Sequence, residues 1–457
     1  MRTAESKDED PAQTRRTRPK PMSLLRGLGY FVPSYAVSIG GNVVLNAAAA
    51  RTLGVSDFGY FVLIFTATVL VGQFALLGVH RSGLREAARA ESDEAVGALR
   101  QGVRAVLLIP LPLASVATAA VMWGLRGGDP DDLATAALSG ALVLLAGYQK
   151  INANFLRGLG HVRAATMITG RSGGSLIALG QAVCVLLVAW LAPGWGLPGV
   201  LAGTVVGYLL PLTWAAWLLR RSWPTSSRRT RTLHDLRVVV KRDWRFAMSQ
   251  TGGFLSSTLE LWVAGFVLSG GATSLFVAAH RLGHLLLVPY LSLQVIFSPA
   301  VARLAAKDEH GHLEPLVRTA ATVATAAGSI LWLPMVIAPG LLLAVVFGDG
   351  FAEAAPALML LASAYLLNSS SGPSMVTLSM SHHEGDVAMI TWCILAPRLV
   401  SGAVCGWAWG VTGLAASTAA MAVITYALGW WAVRRRVGIS THVTLRPSVS
   451  LLRRIPS

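Results

Sequence analysis

Long apolar segments recur along this chain and constrain its fold more than any other feature. A helix that crosses a bilayer core about 30 Å thick needs roughly 20 apolar residues. Twelve such spans are predicted, near 28–50, 59–79, 105–125, 133–153, 168–191, 197–219, 246–268, 276–300, 319–346, 355–379, 387–409 and 411–433. The sequence therefore predicts an all-α, polytopic membrane protein, and we number its spans one to twelve in chain order.

Composition agrees with a chain built for a bilayer. Only 13% of the 457 residues are charged and 54% are hydrophobic, whereas soluble domains carry about 25% charged residues. The net charge of +16 would suggest nucleic acid if the basic residues covered one folded surface. They lie instead in short segments between apolar runs, so membrane lipids are the expected surroundings and nucleic acid is not an expected partner.

The placement of lysine and arginine predicts the orientation of the chain. Of the 38 Lys and Arg residues, 34 fall in segments that share one side of the membrane with both termini. The opposite loops hold only Arg51 and Arg126, and the remaining two, Arg281 and Arg398, lie within spans. Basic residues are enriched in cytoplasmic loops, so both ends of the chain are predicted to be cytoplasmic.

A basic segment between spans six and seven divides the chain into halves. The predicted organisation is a cytoplasmic polar tail, a six-helix bundle, a basic cytoplasmic linker, a second six-helix bundle and a basic cytoplasmic tail, at 1–27, 28–219, 220–245, 246–433 and 434–457. The halves share motifs: Gly196-Leu-Pro-Gly199 recurs as Gly410-Val-Thr-Gly413, an offset of 214 residues. Two similar bundles inserted from the same side predict pseudo-two-fold symmetry about the membrane normal, with a substrate site between them.

Motifs for covalent chemistry are missing from the sequence. No phosphate-binding Gly-x-x-x-x-Gly-Lys-Ser/Thr loop is present. His382-His383-Glu384 and His310-x-His312 lack the spacing of a helical zinc site, and the three cysteines lie singly in apolar runs. We expect neither enzymatic activity nor a bound cofactor; coupling to Na⁺ or H⁺ remains open.

Glu260 is the one acidic residue that maps inside a span. A carboxylate within hydrocarbon costs a few kcal/mol unless it is paired, protonated or wet. Glu260 lies about 12 Å from the outer end of span seven at about 1.5 Å per residue, and Arg281 lies about 8 Å from the outer end of span eight. One interpretation is a structural Glu260–Arg281 ion pair. The other is a wet cavity in which Arg281 meets an anionic headgroup and Glu260 takes a coupling cation.

Arg398 maps to the middle of span eleven, too deep to reach the interface. Glu260 is the only acid mapped to a comparable depth. An arginine without a dedicated acidic partner favours an aqueous cavity or an anionic ligand. The alternative is an error of several residues in the span, since Pro397 distorts the helix locally.

Polar residues also interrupt spans one and ten. Ser34, Ser38, Asn42 and Asn46 follow each other at four-residue steps on one face of span one. Hydrogen bonds between helices explain such a stripe as well as a cavity wall does, with Asn42 and Asn46 then facing substrate. In span ten, the polar run 368–374 contains Gly372-Pro373, a break that is tolerated only against protein or water.

Several short motifs resemble those of bacterial polysaccharide and O-antigen flippases, which belong to the MATE-related superfamily of drug, lipid and oligosaccharide exporters. The resemblance spans roughly 30–435 and rests on the order and spacing of weak motifs. These are Ala50-Arg-Thr-Leu-Gly-Val-Ser-Asp-Phe-Gly-Tyr60, Leu77-Gly78 with Arg81, Arg157-Gly-Leu-Gly160, Phe276-Val-Ala-Ala-His-Arg281, Pro299-Ala-Val-Ala-Arg-Leu304, Phe347-Gly-Asp-Gly-Phe351 and Gly410-Val-Thr-Gly413.

The resemblance implies two bundles that rock around a central cavity and carry undecaprenyl-pyrophosphate-linked oligosaccharides to the outer leaflet of the cytoplasmic membrane. Family members often place an acidic residue in span seven, where Glu260 stands, and such a protein would work beside glycosyltransferases or a polymerase. The chain departs from the family in carrying few cations within its spans. This departure leaves open either a less charged cargo or cavity cations supplied by helix ends, at Arg51, Arg81 and Arg245.

Three other functions stay open at the level of sequence. A multidrug exporter of the same superfamily would be expected to bind cations through intramembrane carboxylates. The spans here contain one acid and two arginines, a balance that disfavours a cationic substrate. A membrane glycosyltransferase or polymerase generally needs outer acids or a sizeable outer loop, but all outer loops here are short. A scaffold that recruits enzymes through the linker 220–245 is the third alternative.

Overall fold

The structure, a computed structural model, describes residues 24–89, 93–169, 173–222, 232–306 and 310–446. Throughout these ranges the chain is helical and contains no strand, which confirms the predicted fold class. The helices are α1 (Leu24–Ala75), α2 (Val79–Arg89), α3 (Asp93–Leu108), α4 (Pro110–Leu125), α5 (Leu133–Gly158), α6 (Val162–Ile168), α7 (Ser175–Leu191), α8 (Gly196–Ser222), α9 (Thr232–Ser257), α10 (Leu259–Val267), α11 (Gly270–Gly283), α12 (Leu287–Ala306), α13 (His310–Ile337), α14 (Pro339–Phe347), α15 (Ala355–Ser371), α16 (Ser374–Met380) and α17 (Glu384–Arg436).

Two very long helices each contain two spans. Helix α1 has 52 residues and α17 has 53, but non-helical backbone divides α1 at Gly54 and α17 at Trp409–Gly410. Both glycines have positive φ, 67° and 60°, a conformation that costs glycine little and other residues more. These turns fall at the predicted outer loops, so spans one and two form α1 and spans eleven and twelve form α17.

Five other spans are interrupted, and the first of them, span three, is split at Ile109 between α3 and α4. Span seven is split between α9 and α10, span eight between α11 and α12, span nine between α13 and α14, and span ten between α15 and α16. Span nine divides at Ala338, directly before Pro339. Among the described residues, eight helical segments are long and apolar enough to cross a membrane by themselves.

The internal repeat extends to the backbone. Gly196 (φ 49°, ψ −136°) and Gly410 (φ 60°, ψ −142°) adopt nearly the same conformation at the start of spans six and twelve. A Cβ added at Gly199 would lie 2.7 Å from Cβ of Trp195, and one at Gly413 would lie 2.7 Å from Cβ of Trp409. The same tight turn thus forms in both halves because the same small residues permit it.

One apolar core joins the two halves at their outer ends. Phe58, from the N-terminal half, is fully buried with its ring centroid 5.8 Å from Phe347 and 5.7 Å from Phe351. Nearby, the backbone N–H of Gly59 donates a 2.7 Å hydrogen bond to Oγ of Ser274. At the inner ends, α12, α13, α16 and α17 pack around a separate core. The outer side is therefore closed.

Helix α9 packs against α1, α2 and α3 of the N-terminal half, although α10 packs on α17. Asp243 is fully buried and accepts a 2.7 Å hydrogen bond from Oγ of Ser82. Arg242 forms a salt bridge of 3.0 Å with Glu86. Helix α9, which carries the end of the linker and the inner half of span seven, is thus held by the N-terminal half, whereas α10 is held by the C-terminal half.

The chain after α17 fills the polar break in span ten. Thr441 is fully buried, and its Oγ1 donates a 2.8 Å hydrogen bond to the Ser371 carbonyl. The N–H of Val443 donates to the Ser370 carbonyl at 3.0 Å. Gly372 (φ 77°) lies so close that an added Cβ would stand 2.0 Å from the Thr441 carbonyl oxygen. Protein contact thus satisfies the break, as expected for backbone at membrane depth.

Parts of the predicted organisation lie outside the described residues, namely 1–23 of the first tail, 223–231 of the linker and 447–457 of the last tail. The cytoplasmic position of both ends stays a prediction. We call the helix ends near Gly54 and Gly410 outer, and the opposite ends inner.

Candidate substrate and ion-coupling site

A break in span seven positions Glu260. Helix α9 ends at Ser257, and α10 begins at Leu259 after Thr258 (φ −120°, ψ 9°). The Thr258 hydroxyl donates a 2.9 Å hydrogen bond to the Phe254 carbonyl, a local contact that competes with regular helix. The break places Glu260 in the first turn of α10, where the helix dipole stabilises a carboxylate.

Arg398 of α17 bridges this break. Its Nε donates to Glu260 Oε1 at 2.9 Å, and one terminal nitrogen also contacts that oxygen. The same nitrogen donates to the Ser256 carbonyl at 3.2 Å. This carbonyl belongs to the last turn of α9, whose oxygens lack helical partners. One guanidinium therefore binds both a carboxylate and a freed carbonyl.

Two interpretations from the sequence are corrected by this geometry. The structural pair between Glu260 and Arg281 is wrong, because Glu260 pairs with Arg398. The expectation that Arg398 has no dedicated partner is wrong for the same reason. The cause is the packing of α10 on α17, which turns the first residues of α10 toward span eleven rather than span eight.

Arg281 of α11 is the other arginine that maps within a span, and it takes no part in the Glu260–Arg398 ion pair. Within the described part of the chain it has no salt bridge or hydrogen bond, and its Nε is buried without a partner. The residue as a whole is partly exposed. The positive charges of both Arg281 and Arg398 interact electrostatically with His280. An unpaired guanidinium in a span costs several kcal/mol, so Arg281 is suited to an anionic ligand.

Three aromatic side chains that the sequence interpretation missed pack together, beginning at His280, the residue directly before Arg281. The rings of His280 and His284 lie 4.4 Å apart, and the ring of Tyr365 lies 4.9 Å from His284. His280 lies in the last turn of α11 and His284 directly follows that helix, a four-residue spacing that was visible in the sequence. We call Glu260, Arg398, Arg281, His280, His284 and Tyr365 the central polar cluster.

The structure does not bring Arg51 and Arg81 into this cluster. Arg51 is exposed at the outer end, where it donates to the carbonyls of Val345 and Val346 at the end of α14. There it caps a helix C-terminus and ties the two halves together. Arg81 lies at the inner end, with its Nε 3.1 Å from Oε1 of Gln250. The side chain of Arg245 lies outside those that the structure describes.

Asn42 and Asn46 bond largely along their own helix. Nδ2 of Asn42 donates to the Ser38 carbonyl at 2.8 Å, and Nδ2 of Asn46 donates to the Asn42 carbonyl at 2.7 Å. At the inner end of the stripe, the hydroxyls of Ser34 and Ser175 lie 2.9 Å apart and join α1 to α7. Both asparagines are half-buried, so their amides remain near enough to the surface to meet a ligand.

Two related six-span halves, with cations and a single mapped carboxylate inside the spans, are typical of a membrane transporter. Three solved structures share this fold. An inward-facing multidrug resistance MATE family transporter matches with a TM-score of 0.66 at 15% identity, over 94% of this chain and 100% of its own. The lipid II flippase MurJ, inward closed, gives 0.61 at 14%, over 88% and 87%. A MOP superfamily transporter from Pyrococcus furiosus gives 0.56 at 15%, over 90% and 96%.

The family itself follows from the sequence comparison. The model of the polysaccharide biosynthesis protein family matches residues 24–305, and the chain belongs to that family. No curated protein matches the chain significantly. The family and fold confirm the resemblance drawn from the motifs, and the relatives named in these comparisons are transporters and flippases rather than catalytic enzymes.

Proposed function

We propose that the protein is a flippase that moves an undecaprenyl-pyrophosphate-linked oligosaccharide from the inner to the outer leaflet of the bacterial cytoplasmic membrane. The observation that carries this proposal is Arg281, a span arginine with a buried, unpartnered Nε. Guanidinium offers a planar fork of donors that matches phosphate, and charge-assisted hydrogen bonds of this kind are strong. The protein would work beside glycosyltransferases or a polymerase that build and use the same cargo.

The Glu260–Arg398 pair supplies the second element of the proposal. A diphosphate that reaches Arg281 would also compete with Glu260 for the guanidinium of Arg398. Glu260, once released, would become an uncompensated carboxylate within the span, and taking up H⁺ or Na⁺ removes that cost. Cargo binding and ion uptake are thereby linked, and departure of the cargo outside restores the ion pair.

Alternating access requires that the closed outer side open. The two halves meet there through the rings of Phe58, Phe347 and Phe351 and through the Arg51 contacts. Rocking of the halves would separate these groups and expose the central polar cluster to the outer leaflet. Asn42 and Asn46 would then contact the sugar part of the cargo, since amides both donate and accept hydrogen bonds.

The test is to complement a flippase-deleted strain with each variant and to measure the amount of surface polysaccharide. Arg281→Gln should lower export about tenfold or more, because a charge-assisted contact is lost. Arg281→Lys should retain part of it, since lysine keeps the charge without the fork. Arg104→Gln, which removes an exposed inner-end charge on α3, is the matched control. Full export by Arg281→Gln at normal membrane level would contradict the proposal.

Multidrug export is the second candidate, favoured by the likeness in fold to MATE transporters. A cationic drug needs a free carboxylate, however, and Glu260 is neutralised by Arg398. Ethidium efflux from cells that express the protein distinguishes the two functions. Efflux that exceeds the vector control and is lost in Glu260→Gln would favour drug export over the flippase.

A further inference from the structure

A second group of cations lies at the inner end of the N-terminal half, away from the central polar cluster. It consists of Lys150 and Arg157 on α5 and Arg81 on α2, which we call the inner basic cluster. Arg81 is an electrostatic neighbour of both Lys150 and Arg157. Lys150 lies near the inner end of predicted span four (133–153), and because α5 continues to Gly158 both Lys150 and Arg157 lie within the helix.

Each cation in this cluster is bonded to neutral partners. Lys150 Nζ donates to Oε1 of Gln73 and lies 5.7 Å from the ring centroid of Phe254. Arg157 donates to the Thr169 carbonyl at 3.2 Å, and Arg81 donates to Gln250 as described above. In the ranges that the structure covers, no carboxylate pairs with any of the three. Three positive charges are therefore left without a counter-charge.

His80 lies beside these charges and adds none of its own. It is 2% exposed, and its Nδ1 has no hydrogen-bond partner. Burial lowers the pKa of His80 to about 3, and the charges of Lys150 and Arg81 contribute further. The imidazole is thus neutral near pH 7, and its ring can accept or donate one hydrogen bond to a ligand.

The chemistry of the cluster matches a diphosphate joined to a sugar. Clustered like charges repel each other, and an anion between them relieves that repulsion and gains charge-assisted hydrogen bonds. The amides of Gln73 and Gln250 supply donors and acceptors for hydroxyl groups, and Phe254 supplies an apolar ring face. Gln250 and Phe254 belong to α9, so a ligand here would contact both α9 and the N-terminal half.

We propose that the inner basic cluster is a receiving site, which binds the diphosphate and first sugar of the cargo before they reach Arg281. The proposal rests on the flippase function proposed above and adds a second, earlier binding site to it. The cargo would take over the donors of Lys150 and Arg81 from Gln73 and Gln250. It would thereby loosen the contact between α9 and the N-terminal half.

The experiment measures binding of undecaprenyl pyrophosphate to the full-length protein in nanodiscs. Lys150→Gln should weaken binding about tenfold or more, while Lys150→Arg should stay within about threefold of wild type. Arg157→Gln should also weaken binding, and the control Arg104→Gln should not. Unchanged affinity in both Lys150→Gln and Arg157→Gln would overturn the receiving site. Should Lys150→Gln not fold, Arg157→Gln alone decides.

Two further arms separate the alternatives. Inorganic pyrophosphate tests a soluble anion as the ligand: affinity equal to that of the lipid would overturn the lipid headgroup as the source. Export by Arg281→Gln tests the flippase function independently. Loss of export in Arg281→Gln, together with wild-type binding by the Lys150 and Arg157 variants, would remove the receiving site and leave the proposed function standing.

Discussion

At the scale of residues, Glu260 and Arg398 hold span seven together across its break, and a double-mutant cycle tests this pair. Arg398→Gln alone should destabilise the protein by about 2–3 kcal/mol, less than a fully buried pair would lose, because the side chains are 23% and 12% exposed. Glu260→Gln with Arg398→Gln should recover most of that loss, since no uncompensated charge remains. Urea or thermal unfolding in detergent supplies the measurement. Additive effects of the two substitutions would show that the pair contributes no coupling.

For Glu260 and Arg398, hydropathy predicts the position of each residue along its span but not the pairing between them. Hydropathy correctly places both within spans, because only position along the apolar segment matters for that inference. Their pairing depends on the break at Thr258 and on the packing of α10 against α17, neither of which leaves a periodic signal. Partner choice between spans is therefore the part of the site that the sequence does not determine.

At the scale of elements, the interruption of span ten illustrates a different limit. The composition of 368–374 predicts a break that must be satisfied by protein or water. Its partner, the segment around Thr441, lies about 70 residues later and looks like an ordinary tail in sequence. The contact is visible only once Oγ1 of Thr441 is seen bonded to the Ser371 carbonyl at 2.8 Å.

Gly372→Ala tests the contact between the break and the segment that fills it. The residue has φ 77°, and an added Cβ would stand 2.0 Å from the Thr441 carbonyl oxygen, so we expect a loss of about 2 kcal/mol or more. Gly385→Ala is the matched control, because nothing lies within 4 Å of its added Cβ. Melting temperatures of the purified variants supply the comparison. Equal values for both would refute the close packing of Thr441.

At the scale of the whole molecule, the architecture was the feature that the sequence predicted best. Twelve spans, two halves and their internal repeat all follow from hydropathy, charge and recurring glycine motifs, and the backbones of Gly196 and Gly410 agree. The inner basic cluster was not predicted, because hydropathy does not show that α2 packs against the inner end of α5. The association of α9 with the N-terminal half was also not predicted, because the composition of the linker indicates its charge but not the helices against which it packs.

Closure of the outer ends gives a prediction for the molecule as a whole. A Cβ at Gly350 would lie 2.9 Å from Cγ2 of Val55, so cysteines at both positions can approach the Cβ separation of about 3.5–4.5 Å that a disulfide needs. In a background without Cys184, Cys393 and Cys405, oxidation of Val55→Cys with Gly350→Cys should stop export, and reduction should restore it. Each single cysteine serves as a control. Undiminished export by the fully cross-linked protein would contradict alternating access.

The central claim is transport of a lipid-linked diphosphate, and reconstitution tests it most directly. Purified protein in liposomes should move a fluorescent undecaprenyl-pyrophosphate-linked oligosaccharide between leaflets, scored by accessibility to an impermeant quencher. Wild type should respond to an imposed Na⁺ or H⁺ gradient, Glu260→Gln should lose that response, and Arg281→Gln should be slowed about tenfold or more. Leaflet exchange no faster than in protein-free liposomes, from folded wild-type protein under either gradient, would contradict the account.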